Sequence, residues 1–394
     1  MSIMNIVRVS AAVAGSYLFL KISSKMASAD NSSSERVDTP TSEGAMATAD
    51  TPEDGLTRSV FRNGCYENPW PTWKDIHISN VLKFVLEKSN SNVPKKEVLD
   101  KELPVLKPDF SKFDKSPDTG VCTMWVGHAT VLVQFDGVTV LTDPIFSNRC
   151  SPTQWFFGNK RYRKPPCTVE DLPKVDAVVI SHNHYDHLDY NSVVALNKKF
   201  GDSLCWYVPL GLKQWMVSTG CKNVQELDWW QEVEHHAADG ETVKFVCTPC
   251  QHWSKRTPTD DFKTLWGSWS VIGPRHRFFF GGDTGYCEVF KQIGHKYGPF
   301  SLAAIPIGAY EPRWFMHPQH VNPKESVQIH EDIQSRMSVG IHWGTFTLTN
   351  EPYLEPREKL KEELKEKSLD PAEFITLRHG EVTVLGKDEY LSVD

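Results

Sequence analysis

No stretch of this sequence is apolar for long enough to cross a bilayer. The best run, Ser10–Leu20 (SAAVAGSYLFL), has eleven residues, whereas a hydrocarbon core of about 30 Å takes roughly 20. Positive charge is not in surplus either. The chain's 394 residues include 43 Lys and Arg against 50 Asp and Glu, a formal net charge of −7. That excludes a surface built throughout to neutralise phosphates, and with it a general nucleic-acid binder. Cysteine is scattered and odd in number, nine in all (65, 122, 150, 167, 205, 221, 247, 250 and 287). A chain this long buries its own core without disulfide staples, so these read as thiols of a reducing, cytosol-facing compartment. Internal repeats are absent. Aromatic residues are missing from Asn31 to Asp54, where Ser, Thr, Ala, Asp, Glu and Pro dominate. Such a composition cannot bury enough apolar area to offset its ordering entropy, and it reads as a disordered linker.

Acidic residues are also absent ahead of Asp30, and Arg8, Lys21 and Lys25 flank the short apolar run. Extending the run back to Ile3 approaches spanning length if Arg8 snorkels. Three readings follow: a signal peptide cleaved near Ala27-Ser28-Ala29, a mitochondrial transit sequence, and a membrane anchor with its basic residues on the anionic cytoplasmic face. A disordered leader or a start-site artefact stands beside them. The expected division is therefore a leader and linker over 1–60 and a single catalytic domain over 61–394.

From Cys65 onward, short strand-like runs alternate with helical ones. Thr123–Val126, Val131–Phe135 and Val138–Thr142 read as strands, the last two joined by Asp136-Gly137, a strong hairpin signal. Further strands are expected at Ala177–Ser181, Cys205–Val208, Thr242–Thr248, Ser268–Ile272, Arg277–Gly281, Leu302–Ile307 and Ser338–His342. Helices are expected at Tyr190–Lys199, Leu210–Ser218, Cys287–Tyr297, Pro323–Gln334 and Glu355–Lys367. A meander followed by interleaved strands and helices implies mixed sheets with helices over their outer faces.

The chemistry concentrates in Ser181-His-Asn-His-Tyr-Asp-His187, directly after the apolar Asp176–Ile180 run. Three imidazoles and a carboxylate within six residues offer neutral nitrogens and an anionic oxygen, the donors a borderline divalent metal prefers. His182 and His184 can point one way by alternation, and Asp186 and His187 follow a turn. A surface histidine cluster is the plain alternative, and it predicts no ligands downstream. Yet His252, Asp283 and His342 each follow a strand-like run. Together they suggest a dinuclear site: His182, His184 and His252 for one ion, Asp186, His187 and His342 for the other, Asp283 bridging.

This H-x-H-x-D-H pattern with separated His, Asp and His resembles the metallo-β-lactamase superfamily. The surrounding text is more specific still: Asn68-Pro-Trp-Pro-Thr-Trp-Lys74, Trp125-Val-Gly-His-Ala-Thr130, Leu141-Thr-Asp-Pro-Ile-Phe146, Glu226-Leu-Asp-Trp-Trp230, Leu265-Trp-Gly-Ser-Trp-Ser270, the Ala304–Met316 segment and Ile341-His-Trp-Gly-Thr-Phe346. From about Cys65 to Leu385 the chain resembles the family of N-acyl-phosphatidylethanolamine-hydrolysing phospholipases D. That resemblance implies an α+β fold, the metallo-β-lactamase-like αββα sandwich of two mixed β-sheets with helices outside. It further implies two zinc ions, a homodimer, a membrane surface and phospholipid substrate, and bile-acid binding. The site would be cytosol-facing on an endomembrane such as Golgi or endosome unless the leader redirects it. The implied reaction yields N-acylethanolamine and phosphatidic acid by direct attack of a metal-bound hydroxide.

Within that frame Asp283 and His320 are the candidate catalytic residues, His320 assisting the leaving oxygen. In the family the pair matching Gln319 and His320 lies at the phosphate, and the position matching Tyr185 lies near the acyl amide; packing alone is the other reading of Tyr185. Asp143 reads as an acceptor that fixes a ligand histidine's tautomer, or as a turn residue before Pro144. His128 reads as a similar supporting partner, or as a buried structural histidine. Trp70, Trp73 and Val81–Val85 suit an element in the lipid interface or an ordinary core helix. Cys247-x-x-Cys250 has no second pair to match and reads as structural. Two rivals stand beside the lipase reading: a soluble hydrolase of lactones or small phosphoesters on the same fold, and a noncatalytic lipid-binding scaffold, which would need a defective ligand set.

Overall fold

The computed structural model describes residues 54–87, 91–155, 158–237 and 240–386. The leader, and the linker up to residue 53, lie outside the described residues. The chain is tied in by Thr57, whose N–H donates to Gln292 Oε1 and whose carbonyl accepts from Trp230 Nε1.

The first sheet begins with the strands Val121–Gly127, Thr130–Phe135 and Val138–Thr142. Successive strand residues face opposite ways. Val131, Val133 and Phe135 accordingly join one buried cluster and Leu132 another. Both faces are covered, so these strands are buried throughout and mostly apolar rather than alternating with solvent-facing residues. Asp136 and Gly137 turn the chain with φ of 44° and 76°, the left-handed pair a two-residue hairpin of this hand demands. The sheet has seven strands in the order Val224–Leu227, Cys205–Pro209, Ala177–Val179, Val138–Thr142, Thr130–Phe135, Val121–Gly127, Val382–Leu385. The second also has seven: Glu232–His236, Thr242–Thr248, Ser268–Ile272, Arg277–Phe280, Leu302–Pro306, Ser338–Ile341, Phe374–Ile375. Each is antiparallel at one side and parallel at the other.

The sheets face each other across an aromatic-rich interior, where Tyr207 of the first stacks on Phe245 of the second with centroids 4.0 Å apart. Trp269 Nε1 donates across the gap to the Ile180 carbonyl at 2.8 Å. Outside the first sheet, Val193, Leu196 and Met216 of helices Tyr190–Phe200 and Lys213–Ser218 pack with Leu132, Leu141, Val178 and Trp206. Outside the second lie the helices Val289–Tyr297, Pro323–Asp332 and Glu355–Glu366, with Phe290, Ile293, Val327, Ile329, Leu360 and Leu364 buried. This is the expected αββα sandwich.

The differences from the sequence reading have local causes. The helix expected from Leu210 starts at Lys213, because Gly211 takes φ +91° and lies against Thr264 and the Lys263 carbonyl. The strand at Ala177 ends at Val179 rather than Ser181, freeing the chain to turn into the histidine-rich loop. Glu232–His236 was not expected; it pairs only with Thr242–Thr248 at an edge and alternates exposed with half-buried residues. Trp70 does not face outward but is buried on Trp229, at 5.9 Å between ring centroids. In the helix Ile78–Leu86, Val81 and Phe84 pack on Phe315 and Met316, while Leu82 and Leu86 are exposed.

Removing Phe245, fully buried between the sheets, should cost about 3–5 kcal/mol as Phe245→Ala. Half-exposed Val217→Ala should stay within about 0.5 kcal/mol. Urea unfolding followed by tryptophan fluorescence measures both.

Candidate metal centre

Strand pairing alone decides where the functional residues meet. In the first sheet, Val121–Gly127 and Val138–Thr142 are each antiparallel to the strand between them, and Ala177–Val179 is parallel to Val138–Thr142. All three therefore run the same way. Their C-terminal ends deliver His128, Asp143 and the Ser181–His187 loop to one edge. In the second sheet, Thr242–Thr248, Arg277–Phe280 and Ser338–Ile341 share a direction by the same count. Their ends deliver His252, Asp283 and His342. Clefts beyond the carboxyl ends of strands are where such sheets put ligands. His128, Asp143 and His342 hold positive φ of 54°, 30° and 61°, strained backbone that packed surroundings must sustain.

The seven expected ligands come together in two groups. His182 Nε2 lies 2.8 Å and His252 Nε2 3.2 Å from His184 Nδ1. In the other group, His187 Nε2 lies 3.2 Å from His342 Nε2 and 3.3 Å from Asp186 Oδ2, and His342 Nε2 lies 3.5 Å from Asp186. Asp283 sits between the groups, with Oδ2 3.0 Å from His187 and 3.9 and 3.8 Å from His182 and His252, and Oδ1 3.0 Å from His342.

Neighbouring groups fix which ring nitrogen is a lone pair. A carbonyl can only accept, so the 3.0 Å contact of His252 Nδ1 with the Gln319 carbonyl makes Nδ1 the N–H and leaves Nε2 as a lone pair. His187 Nδ1 donates in the same way to Asp143 Oδ2 at 2.6 Å. Asp143 is itself held by the Ser181 N–H at 2.7 Å and its hydroxyl at 2.5 Å. His128 Nε2 lies 2.9 Å from Asp186 Oδ2. Both supporting residues thus touch expected ligands, as outer partners of metal sites do. His184 Nε2 and His320 Nδ1 are buried without a hydrogen-bond partner among the described residues. Convergent lone pairs around a shared carboxylate fit a pair of divalent cations.

The two groups differ electrostatically. Burial above all holds His182 far below its ordinary value, His184 at about 4, and His128, His252 and His320 at about 3. These imidazoles are neutral at pH 7, the form a ligand needs. His187 and His342 go the other way. Burial opposes their charge, but Asp283 and then Asp186 outweigh it, raising His187 strongly and His342 to about 9. Against the same burial, His187 in turn keeps Asp186 and Asp283 well below the usual carboxylate range. The protons at His187 and His342 supply positive charge where a cation would supply it.

Beside this cluster opens a cavity of about 160 Å³. His184, Asp186, His252, Asp283 and His320 lie on one side of its lining, and Ile76, Val81, Phe84, Phe315, Met316 and Leu348 form an apolar wall. His320 Nε2 is 3.9 Å from Asp283 Oδ2. Tyr185 and Gln319 line the cavity but are already engaged: Tyr185 donates its hydroxyl to the Arg256 carbonyl at 2.9 Å, and Gln319 Oε1 accepts from Trp253 Nε1 at 2.9 Å. Sequence reasoning missed Ser181, Gln251, Trp253 and Arg256. Only adjacency marked them, one residue before His182 and within four residues of His252.

Acid should destabilise the protein stripped of metal. Where folding lowers a histidine's pKa, the unfolded chain, titrating near 6.5, binds more protons than the fold, so stability rises with pH across that window. His128, His184, His252 and His320 place the window between about 3 and 6.5. His187 and His342 contribute oppositely, stabilising below about 6.5, and His342 loses that contribution as pH rises through about 9. The melting temperature after chelation should therefore fall from pH 7 to pH 5; a rise would contradict neutral ligands.

Residues 138–343 match the model of the β-lactamase superfamily domain. The N-acyl-phosphatidylethanolamine-hydrolyzing phospholipase D 1 of Caenorhabditis elegans is 46% identical over 335 residues, 82% of this chain and 93% of its own. The mitochondrial N-acyl-phosphatidylethanolamine-hydrolyzing phospholipase D of Saccharomyces cerevisiae is 38% identical over 244 residues, 61% of this chain and 51% of its own. Among solved structures, an isothiocyanate hydrolase from Delia radicum gut bacteria superposes with a TM-score of 0.52 at 20% identity, over 67% of this chain and 99% of its own. That last likeness concerns the fold.

Proposed function

The chain belongs to the β-lactamase superfamily and, within it, to the family of N-acyl-phosphatidylethanolamine-hydrolysing phospholipases D, and from that premise we propose that this metal-dependent hydrolase cleaves N-acyl-phosphatidylethanolamine to N-acylethanolamine and phosphatidic acid. The observation that carries the reading is an apolar wall built directly beside a cluster of cation ligands. An amphiphile with a phosphodiester next to an acyl chain suits both at once. A small lactone or soluble phosphoester would leave the Val81, Phe84, Phe315 and Met316 wall unused. On the helix Ile78–Leu86, Leu86 is 83% exposed and Leu82 also faces solvent, and Lys83 lies 4.0 Å over the ring of exposed Trp314 on the short helix Arg313–Met316. Exposed apolar residues with a nearby cation favour docking on an anionic membrane surface. No helix among the described residues is long and apolar enough to cross a membrane.

Each residue then has a task. His182, His184 and His252 would hold one cation and Asp186, His187 and His342 the other, with Asp283 shared; the nitrogen-rich set favours zinc. Bound there, the cations would supply Lewis acidity toward the phosphate oxygens and lower the pKa of a water. Asp143 keeps the His187 lone pair aimed inward, and the Gln319 carbonyl does so for His252. His320, neutral and with a ring nitrogen unclaimed, would hydrogen-bond the leaving oxygen. Water forms the new bond to phosphorus, the bond from phosphorus to the ethanolamide oxygen breaks, and that oxygen takes a proton.

The purified protein should carry about two zinc ions per chain. Asp283→Asn should cut turnover far more than it lowers thermal stability; full retained activity would remove Asp283 from the site. In oxygen-18 water the label should enter phosphatidic acid and not the N-acylethanolamine hydroxyl, and added ethanol should yield no phosphatidylethanol. Label in the ethanolamide means carbon–oxygen cleavage, and abundant phosphatidylethanol means a covalent phosphoryl-enzyme. Either result sinks the mechanism.

A further inference from the structure

Arg256 follows His252 by four residues and reaches back across the cleft to the other ligand-bearing loop. Its Nη1 donates to two carbonyls, Asn183 at 3.1 Å and Leu188 at 2.8 Å. Those carbonyls flank His184, Tyr185, Asp186 and His187. One nitrogen thus closes the loop that supplies three expected ligands. The loop answers, for the Tyr185 hydroxyl donates to the Arg256 carbonyl at 2.9 Å, and Asn183 Oδ1 accepts from the Lys255 N–H at 2.8 Å. The guanidinium lies over two rings, 4.2 Å from the Tyr185 centroid and 4.7 Å from that of Trp215 on the helix Lys213–Ser218. Asp260 Oδ1 accepts from the N–H groups of Arg256 and Thr257 at 2.9 and 2.7 Å, so the clamp's own backbone is fixed.

We infer that Arg256 is a positioning residue that couples the two halves of the metal centre, locking the loop of His184, Asp186 and His187 to the segment of His252. A planar, rigid donor fork stacked on aromatic faces suits this task because little side-chain freedom is lost when it binds. Both carbonyls it caps belong to a loop whose two ends must stay in register. Each half of the site then forms on a loop already oriented by the other. Without the clamp, cation binding must itself organise the loop, which weakens affinity; outer partners of metal ligands typically contribute 10–100-fold. The inference rests on the cation-binding reading of the cluster.

Zinc affinity by competition against a chromophoric chelator, measured beside kcat and KM, tests it. Arg256→Met keeps the side chain's length and removes its donors. Its zinc affinity should fall by about 10–100-fold, with kcat depending on free zinc over a range where the parent's does not, while the melting temperature after chelation moves little. Trp215→Leu removes one stacking ring outside both loops and should weaken zinc binding in the same direction by a smaller factor. It also serves should Arg256→Met fail to fold. Zinc affinity within twofold of the parent in either folded variant overturns the clamp. A raised KM at unchanged zinc affinity would instead make Arg256 a substrate contact. A parent protein that binds no zinc would overturn the underlying hydrolase reading, whereas a parent that binds two beside an unaffected variant overturns the clamp alone.

Discussion

Three carboxylates are gathered with a group of imidazoles at the shared edge of two sheets, Asp143 and Asp283 buried and Asp186 partly so at the cavity. Charge in such a place is costly unless it is paired and hydrogen-bonded. The rest of the site follows from meeting that demand. Asp143 is satisfied by Ser181 and His187, Asp186 by His128, and Asp283 by its position between the two histidine groups. Among the described residues the ion-pair partners of these carboxylates are histidines rather than lysine or arginine. Imidazoles converge on them in groups that could hold a metal ion.

The same demand explains why so much of the molecule is rigid around the cleft. Away from their edge strands the sheets are largely buried on both faces, and the strand ends that carry ligands emerge from strands packed among Phe, Trp and Val. Precise donors need supports whose own conformations are settled. The loop segments are tied to one another rather than to solvent. Gln251 receives the Gly285 N–H on its carbonyl and donates its side-chain amide to the Pro318 carbonyl, linking the stretches that bear His252, Asp283 and His320. The N-terminal segment adds a strap, with Asn68 donating to the His252 carbonyl and Trp70 to that of Cys250.

Polarity changes abruptly at the cavity. On one side are the ligands; on the other, Val81 and Phe84 meet Phe315 and Met316, with Phe84 and Phe315 stacked at 5.0 Å. The helix that supplies half of this wall also presents Leu82 and Leu86 outward. Substrate recognition and approach to a lipid surface can therefore be served by two faces of one short element.

What the sequence by itself determined was whatever is encoded over a few residues. The apolar runs such as Val131–Phe135, the Asp136-Gly137 turn and the H-x-H-x-D-H spacing are local signals, and the strands, the hairpin and the loop of ligand candidates were legible from them. His252, Asp283 and His342 were legible because each follows an apolar strand. Only the tertiary structure decided that all these strand ends share one edge, since that depends on the parity of pairings between distant segments. It also decided that Trp70 turns into the core and that the polar run Glu232–His236 is an edge strand. Ser181 and Arg256 acquire their roles through contacts with residues 38 and about 70 positions away. Hydrogen bonds of that separation leave no period and no spacing in the chain, because the geometry that makes them exists only once both sheets have closed on each other.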